Sequence, residues 1–570
     1  MKKYFFCLFL SVYCIPFLWP QENCNVAKEV PLQLMSAELK RGLKTFKKLN
    51  PPIYYLSYTY EDRHLRGIEV EQDGSYPYDN IRSVLVVSAR AGSPKMDNTR
   101  LLKGENNYNR TFTKQVRGVD PSAADPAAFR LSMWRATQQM AETAQEEFSR
   151  VQTNSRSAAA RQDESDDFVI PPLSRYCRSR QTQDFDWDKM EQMLLKASAL
   201  VRGKKFVLNS NFSFNVEQGH RYFVDSVGTQ LKTPFLYARL VYSIENQLKD
   251  GSWLQRSNAY DVTAQSQLPD ESAFLTAVKQ SLSELESLSA APEADPVTVP
   301  TILKNRAMGV FVHEVLGHRL EGHRQKLDSF GKTFTSKIGQ PVTAPFITIV
   351  DDATLSSFNG QPLRGFYEYD DEGVKVVPVT LVENGVLRGF LMSSSPIEKF
   401  PASNGHGRAE LGELPVARMG NTRLIASKTV SYEELEKQLV QEIRTQNKPY
   451  GYIIEDLSGG FTMTDTNMPQ VFKLEPKLAY RIYPDGHKEV VRGADIVGTP
   501  LVSFGQIIAA ADDDKVFNGT CGAESGWVPV SAIAPSVLLK SLEIEKTAKS
   551  EQKPPILPAP YSLNKGGKTK

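Results

Sequence analysis

Phe311-Val312-His313-Glu314-Val315-Leu316-Gly317-His318-Arg319-Leu320-Glu321-Gly322-His323 is the stretch on which fold and function turn. Three of the chain's seven histidines fall inside it. It lies within a helical pattern that spans 300–326. The residues just before it, Met308-Gly309-Val310-Phe311-Val312, are too apolar for a solvated face of His and Glu. Two histidines and an acid buried in such company need partners, and a cation supplies one. The common zinc helix places its histidines four apart. His313 and His318 are five apart, which on an ideal helix means about 140° around the axis and about 7.5 Å along it. Imidazoles so placed cannot share one ion at about 2.0–2.1 Å. The helix therefore has to deform between them or end at the second. Gly317 is where the spacing puts that event, because glycine relaxes backbone limits. Glu314 and His318, four apart, share a face without distortion.

Two histidines make a poor metal site, so a third donor is expected. Cys521 sits in Asn518-Gly519-Thr520-Cys521-Gly522-Ala523-Glu524-Ser525-Gly526, which reads as a loop with glycine on both sides. Thiolate is a strong zinc ligand, and a Cys/His/His set with an open fourth position is a catalytic arrangement. A free cysteine is more often an inert buried apolar residue, so the residues alone leave the role of Cys521 open.

Around this centre the chain reads as α+β: an N-terminal α/β-type part with a mixed sheet, and a C-terminal mostly β part that carries a long metal-binding helix. Strand patterns occupy 53–60, 65–71, 82–90 and 205–245. Beyond 326 they recur at 346–351, 374–383, 386–393, 451–457, 478–483, 487–493 and 537–544. Asp73-Gly74, Asn384-Gly385 and Asp485-Gly486 are turn signals between such runs. Helices are expected over 36–49, over 186–201, over 271–288, and behind Asp125-Pro126, where apolar residues recur every three or four from Phe129 to Val151. Residues 155–167 read as a polar mobile loop, and 290–296 as a linker.

With 570 residues, 41% apolar and 24% charged, the chain has the composition of a globular protein of several domains. A net charge of +2 gives no field that would draw nucleic acid or an anionic membrane. Five cysteines exclude a disulfide scaffold. Lys2 and Lys3 precede an uncharged, largely apolar run from Tyr4 to Trp19. As a helix that run reaches roughly 24 Å, short of a hydrocarbon core of about 30 Å. It reads as a secretory signal, with an uncleaved N-terminal anchor as the alternative. After signal removal no stable membrane span remains. In an oxidising compartment Cys24 and Cys177 can pair, which the sequence leaves open.

His313-Glu314-Val315-Leu316-Gly317-His318-Arg319-Leu320-Glu321-Gly322 resembles the helix of the TldD/PmbA family of metalloproteases. Asn404-Gly405-His406-Gly407-Arg408, Arg418-Met419-Gly420-Asn421-Thr422, Val497-Gly498-Thr499-Pro500 and Cys521-Gly522-Ala523-Glu524-Ser525-Gly526-Trp527-Val528-Pro529-Val530 follow in the family's order. The N-terminal half is similar only weakly, through Tyr222-Phe223-Val224-Asp225-Ser226-Val227-Gly228-Thr229. The resemblance implies the catalytic, TldD-like type rather than the metal-free partner type. It implies Zn2+ held by His313, His318 and Cys521, and Glu314 as the base that takes a proton from water and returns it to the leaving amine. His406 and Arg408 are candidates for substrate binding at the oxyanion; the alternative for them is a tight turn with surface polar groups. Glu321 and His323 stay outside this set. The implied substrate is a peptide or unfolded polypeptide bound in extended form. The implied assembly is a homodimer or a heterodimer with a PmbA-like paralogue. Two alternatives remain open: a non-catalytic metal-binding partner subunit, and a zinc amidase acting on cell-wall peptides. Export to the periplasm or the medium, and Gly526-Trp527 where the family has Gly-Gln, are departures from the pattern. The expected order is a signal peptide over 1–22, an α+β region over 23–120, a helical insertion with its mobile loop over 121–185, a middle α+β region over 186–296, a metalloprotease domain over 297–548 and a flexible tail over 549–570.

Overall fold

The computed structural model describes residues 21–71, 74–103, 110–122, 125–157, 163–180, 182–326, 332–464 and 471–549. The expected signal segment up to residue 20, Asp73 of one turn, and the expected tail from 550 onward lie outside the described residues. Among the described residues, no helix is long and apolar enough to cross a membrane.

Long, strongly alternating strands build the N-terminal half. Its nine-stranded mixed sheet runs Gln21–Asn23, Arg175–Arg180, Gln230–Gln247, Asn209–Asp225, Ile53–Val70, Ser75–Ser93, Met96–Asp97, with Thr113–Arg117 and Trp253–Val262 added at the sides. Ile53–Val70 is one strand rather than two. The charged run Glu61-Asp62-Arg63-His64 that divides its hydrophobic pattern is carried through the sheet because buried Glu61 pairs with Arg63 and Arg221. Helices Val30–Phe46 and Ala127–Ser157 pack through Leu32, Met35, Phe129, Met133 and Met140 on one end of these strands. Helices Trp187–Val201 and Glu271–Ala290 cover the other end. Of the loop expected over 155–167, residues 158–162 lie outside the described residues. The part from Asp163 onward is tied down: Asp163 Oδ2 accepts from Glu398 N at 3.1 Å, and Ser165 Oγ donates to Pro396 O at 3.0 Å.

The C-terminal half holds a closed barrel and a six-stranded mixed sheet. Strand Val297–Leu303 pairs parallel with Gly451–Thr462 and antiparallel with Val537–Lys546, and this double pairing closes the ring through Phe472–Ile482 and Ala494–Gly498. Closure removes the exposed edges that an open sheet would leave. Helix Tyr432–Thr445 packs on the barrel with Leu435, Leu439 and Ile443. The second sheet runs Val386–Leu387, Val379–Glu383, Ile347–Asp351, Asn421–Ala426, Gly526–Ala534, Lys515–Ala523.

The long helix expected over 300–326 does not exist as one element. Residues Val297–Leu303 form a barrel strand, helix Asn305–Val315 has 11 residues, and the chain then makes two short 3-10 turns, Gly317–Leu320 and Gly322–Gln325. Val299, Thr301 and Ile302 before residue 304 are β-branched and suit a strand, and pairing with two remote strands in the barrel fixes them as one. The helix lies between the two sheets. A Cβ on Gly309 would sit 3.2 Å from that of Ala532, so the helix packs closely on strand Gly526–Ala534.

Candidate metal centre

His313 lies in the last turn of helix Asn305–Val315, where the backbone still has helical geometry. Leu316 then departs from it, with φ −111° and ψ −49°. Gly317 follows, with its Cα pressed against Met419: an added Cβ would lie 2.0 Å from the methionine sulfur. Any larger residue there would have to push the Met419 side chain aside. The change of winding carries His318 back toward His313, and the two rings meet edge to face with centroids 5.0 Å apart.

Cys521 comes from the other sheet. It does not sit in a loop: it lies in strand Lys515–Ala523, opposite Val528 in a hairpin that turns at Glu524-Ser525. Gly522 opposes Trp527 there, and the indole lies over the position that a Gly522 Cβ would fill. The glycines thus serve hairpin packing rather than loop mobility. Cys521 Sγ stands 3.3 Å from His318 Nε2, and the candidate ligand atoms of His313, His318 and Cys521 all lie within 4.8 Å of one another. All three side chains are buried.

Electrostatics within the cluster is that of a thiolate between imidazoles. Burial pushes the Cys521 thiol up, but the charges and hydrogen bonds of His318 and His313 outweigh it and hold the group well below its usual range. Burial alone would lower both histidines, yet Cys521 raises His313, and Cys521 with Glu321 raises His318 well above the ordinary imidazole value. A divalent cation would take the place of the protons these groups share. The donor set fits one. At tetrahedral angles, with sulfur at about 2.3 Å and nitrogen at about 2.0–2.1 Å from zinc, the two donor atoms stand about 3.6 Å apart. The observed separation is 3.3 Å. Glu314 Oε2 lies 3.9 Å from His318 Nε2, on the same side as the thiol. Burial raises the Glu314 carboxyl above its ordinary value, toward the range useful to a general base.

His406 and Arg408 stand apart from this cluster. His406 has no exposed surface; its Nδ1 faces Asn404 Oδ1 at 2.9 Å and its Nε2 faces Asp351 Oδ1 at 3.3 Å. Arg408 donates to Met419 O at 2.5 Å and lies over the Tyr367 ring. Among the described residues, their polar contacts run to these groups and not to His313, His318 or Cys521. They are not surface polar groups of a turn either, since both are buried. Glu321, left outside the expected set, is fully buried and faces His318 Nδ1 with both oxygens, at 3.2 and 3.3 Å. Its spacing of three from His318 was the available signal. His323 pairs with Glu524 instead.

The family model for the PmbA/TldA metallopeptidase C-terminal domain matches residues 296–546, the stretch that contains the barrel, the broken helix and the Cys521 hairpin. Residues 296–546 are thus similar to a domain of the TldD/PmbA family. It is 30% identical over 275 residues to a metalloprotease TldD homolog of Haemophilus influenzae, covering 48% of this chain and 52% of that one. It is 25% identical over 248 residues to a zinc metalloprotease TldD homolog of Saccharolobus solfataricus, covering 43% and 51%. The matches thus span about half the length of these relatives. The crystal structure of TldE from Thermococcus kodakarensis superposes with a TM-score of 0.58 at 16% identity, covering 90% of this chain and 100% of that one. That likeness is one of fold and extends to the N-terminal half, which the family model does not cover.

Proposed function

We propose that this protein is a zinc-dependent metallopeptidase that cuts peptides or unfolded segments bound in extended form. The observation that carries the reading is the convergence of His313, His318 and Cys521, buried and within 4.8 Å of one another, beside the raised carboxyl of Glu314. The relatives named metalloproteases point the same way. His313, His318 and Cys521 would hold the ion, which when bound supplies a Lewis acid for the scissile carbonyl and for water. Glu314 takes the proton of the attacking water and hands it to the departing amine; burial raises its carboxyl, the direction that such a base needs. Strand Lys515–Ala523 ends its sheet, and a strand edge beside the site suits a substrate read through its main chain.

Export to an oxidising compartment belongs to the same proposal. The Cys24–Cys177 disulfide, with its Cα atoms 5.2 Å apart, supports it, because such bonds persist mainly outside the cytosol. Assembly as a homodimer, or with a PmbA-like paralogue, is a further part of the proposal. The test is metal analysis of the purified protein together with an unbiased peptide-library digest, with and without chelator. Stoichiometric zinc and chelator-sensitive cleavage are expected, and Glu314→Gln should abolish cleavage while retaining zinc. Cleavage that survives chelation, or turnover unchanged in Glu314→Gln, overturns the reading.

A further inference from the structure

The side chains behind the cluster form a second unit. Glu321 carries a negative charge with no exposed surface. Burying a carboxylate costs several kcal/mol unless it is paired, and this one faces three cationic or imidazole groups, the contact to Arg418 being an ion pair without a hydrogen bond. Both oxygens face His318 Nδ1, Oε2 accepts from Arg324 Nε at 2.8 Å, and Oε1 faces Arg418 Nε at 3.6 Å. Arg418 is likewise without exposed surface. It spends its remaining donors on the hairpin that bears the thiol: Nη2 donates to Cys521 O at 2.7 Å, and Nη1 donates to Ser525 Oγ at 2.8 Å and Gly526 O at 3.0 Å. One planar guanidinium therefore joins the turn that carries His318 to the strand that carries Cys521. These two elements belong to different parts of the fold and share no main-chain hydrogen bonds.

We infer that Glu321 and Arg418 are positioning residues of the metal centre, a clamp that orients the His318 ring and holds the Cys521 strand against it. This deepens the proposed function and rests on it. With a cation bound, His318 would keep its proton on Nδ1, which faces the Glu321 carboxylate, and offer Nε2, which faces Cys521, to the ion. A carboxylate behind a ligating histidine is a common way to fix its tautomer and angle. The second contact is what Arg418 adds. Because the same group grips the Cys521 carbonyl, a displacement of the hairpin pulls on Glu321, and the two ligands from separate elements are set by one rigid fork. Lysine, with a single ammonium, cannot reach Glu321 and three hairpin acceptors together.

The experiment loads the full-length protein with cobalt(II) and compares wild type, Glu321→Gln, Arg418→Lys and Cys521→Ala. Metal affinity is read by chelator competition, ligand geometry by the cobalt d–d and thiolate charge-transfer bands, and folding by thermal melts of the metal-free forms. Glu321→Gln is expected to weaken metal binding about 10–100-fold with shifted d–d bands. Arg418→Lys should weaken it similarly and diminish the thiolate band. Variants that fold and keep wild-type affinity and spectrum overturn the clamp. A purely structural role would lower the metal-free melting temperature and leave the spectrum of the folded fraction unchanged, which also overturns it. One measurement needs no clamp variant: in [15N]histidine-labelled zinc protein, the His318 signal, assigned with His318→Gln, should be that of an Nδ1–H ring, and an Nε2–H ring overturns the proposal. Wild type that takes up no cobalt, or that shares its spectrum with Cys521→Ala, overturns the metal-centre reading and the clamp with it. A normal wild type with silent clamp variants overturns the clamp alone.

Discussion

Replacing Gly317 with alanine should damage the metal centre without touching a ligand. The added Cβ would lie 2.0 Å from Met419 Sδ and 2.9 Å from its Cε. Unbonded heavy atoms rest about 3.5–4.0 Å apart, so the sulfur or the turn must retreat by about 1.5 Å. Met419 is 1% exposed and belongs to the main core, so its side chain has to shift among packed neighbours. Overpacking of this kind costs about 1–3 kcal/mol. For a domain of the size of 296–546, each kcal/mol shifts the melting temperature by about 2–4 °C, so a fall of about 2–12 °C is expected. The turn also positions His318, and a shift there should weaken zinc by about tenfold or more. Melts with and without chelator separate the two effects. Met419→Ala in the same chain removes the obstructing sulfur, so the loss in the double variant should fall short of the sum of the single losses by about 0.5–3 kcal/mol. A Gly317→Ala protein with unchanged melting temperature and zinc affinity, or strictly additive losses, would refute the reasoning.

Three further outcomes follow from the same structure. Cys521→Ala should lose zinc at chelator levels that the wild type withstands; stoichiometric zinc in that variant, by elemental analysis, removes Cys521 from the ligand set. Cys24 and Cys177 close a loop with a sequence separation of 153, so Cys24→Ser with Cys177→Ser should cost about 2–5 kcal/mol in denaturant unfolding, and no change in midpoint would contradict the bond's role. Asp351 is fully buried; burial raises its carboxyl, but the hydrogen bond and charge of His406 and the donors Thr422 and Gly420 outweigh it and leave it lowered. A lowered carboxyl contributes stability that is present above its ordinary value of about 3.9 and is lost as pH falls through the folded value. Wild type should therefore lose more stability than Asp351→Asn as pH falls below about 4, in urea titrations; parallel pH profiles for the two would contradict the assignment.

Much of the fold was legible because local signals and tertiary context agree. Asn384 and Gly385, with φ of 48° and 81°, form the hairpin turn that their identities announced, and Gly486 has φ 91° in another. Asp186 and Asp270 cap their helices, and the periodic residues behind Asp125 are buried. Helix Tyr432–Thr445 went unread although Ser431 accepts from Glu434 N and Leu435, Leu439 and Ile443 recur every four: the signal was there, between stronger strand patterns. Other misses lay where partners distant in sequence decide. Residues 300–303 are strand because two remote strands pair with them, and Cys521 is in a strand because Val528 and Trp527 close a hairpin across it. At the site, the need for a break near Gly317 followed from spacing alone. The place of Arg418 did not, since its four partners come from two stretches about 200 residues apart, Glu321 and the hairpin of Cys521, Ser525 and Gly526.

Zinc K-edge X-ray absorption on the purified, full-length protein tests the central claim most directly, because it reads the ligand set itself. The expected first shell has one sulfur at about 2.3 Å with two imidazole nitrogens at about 2.0–2.1 Å and a light scatterer in the remaining position. A shell without sulfur, or one filled by oxygens alone, would show that the broken helix and the Cys521 strand do not meet around a metal.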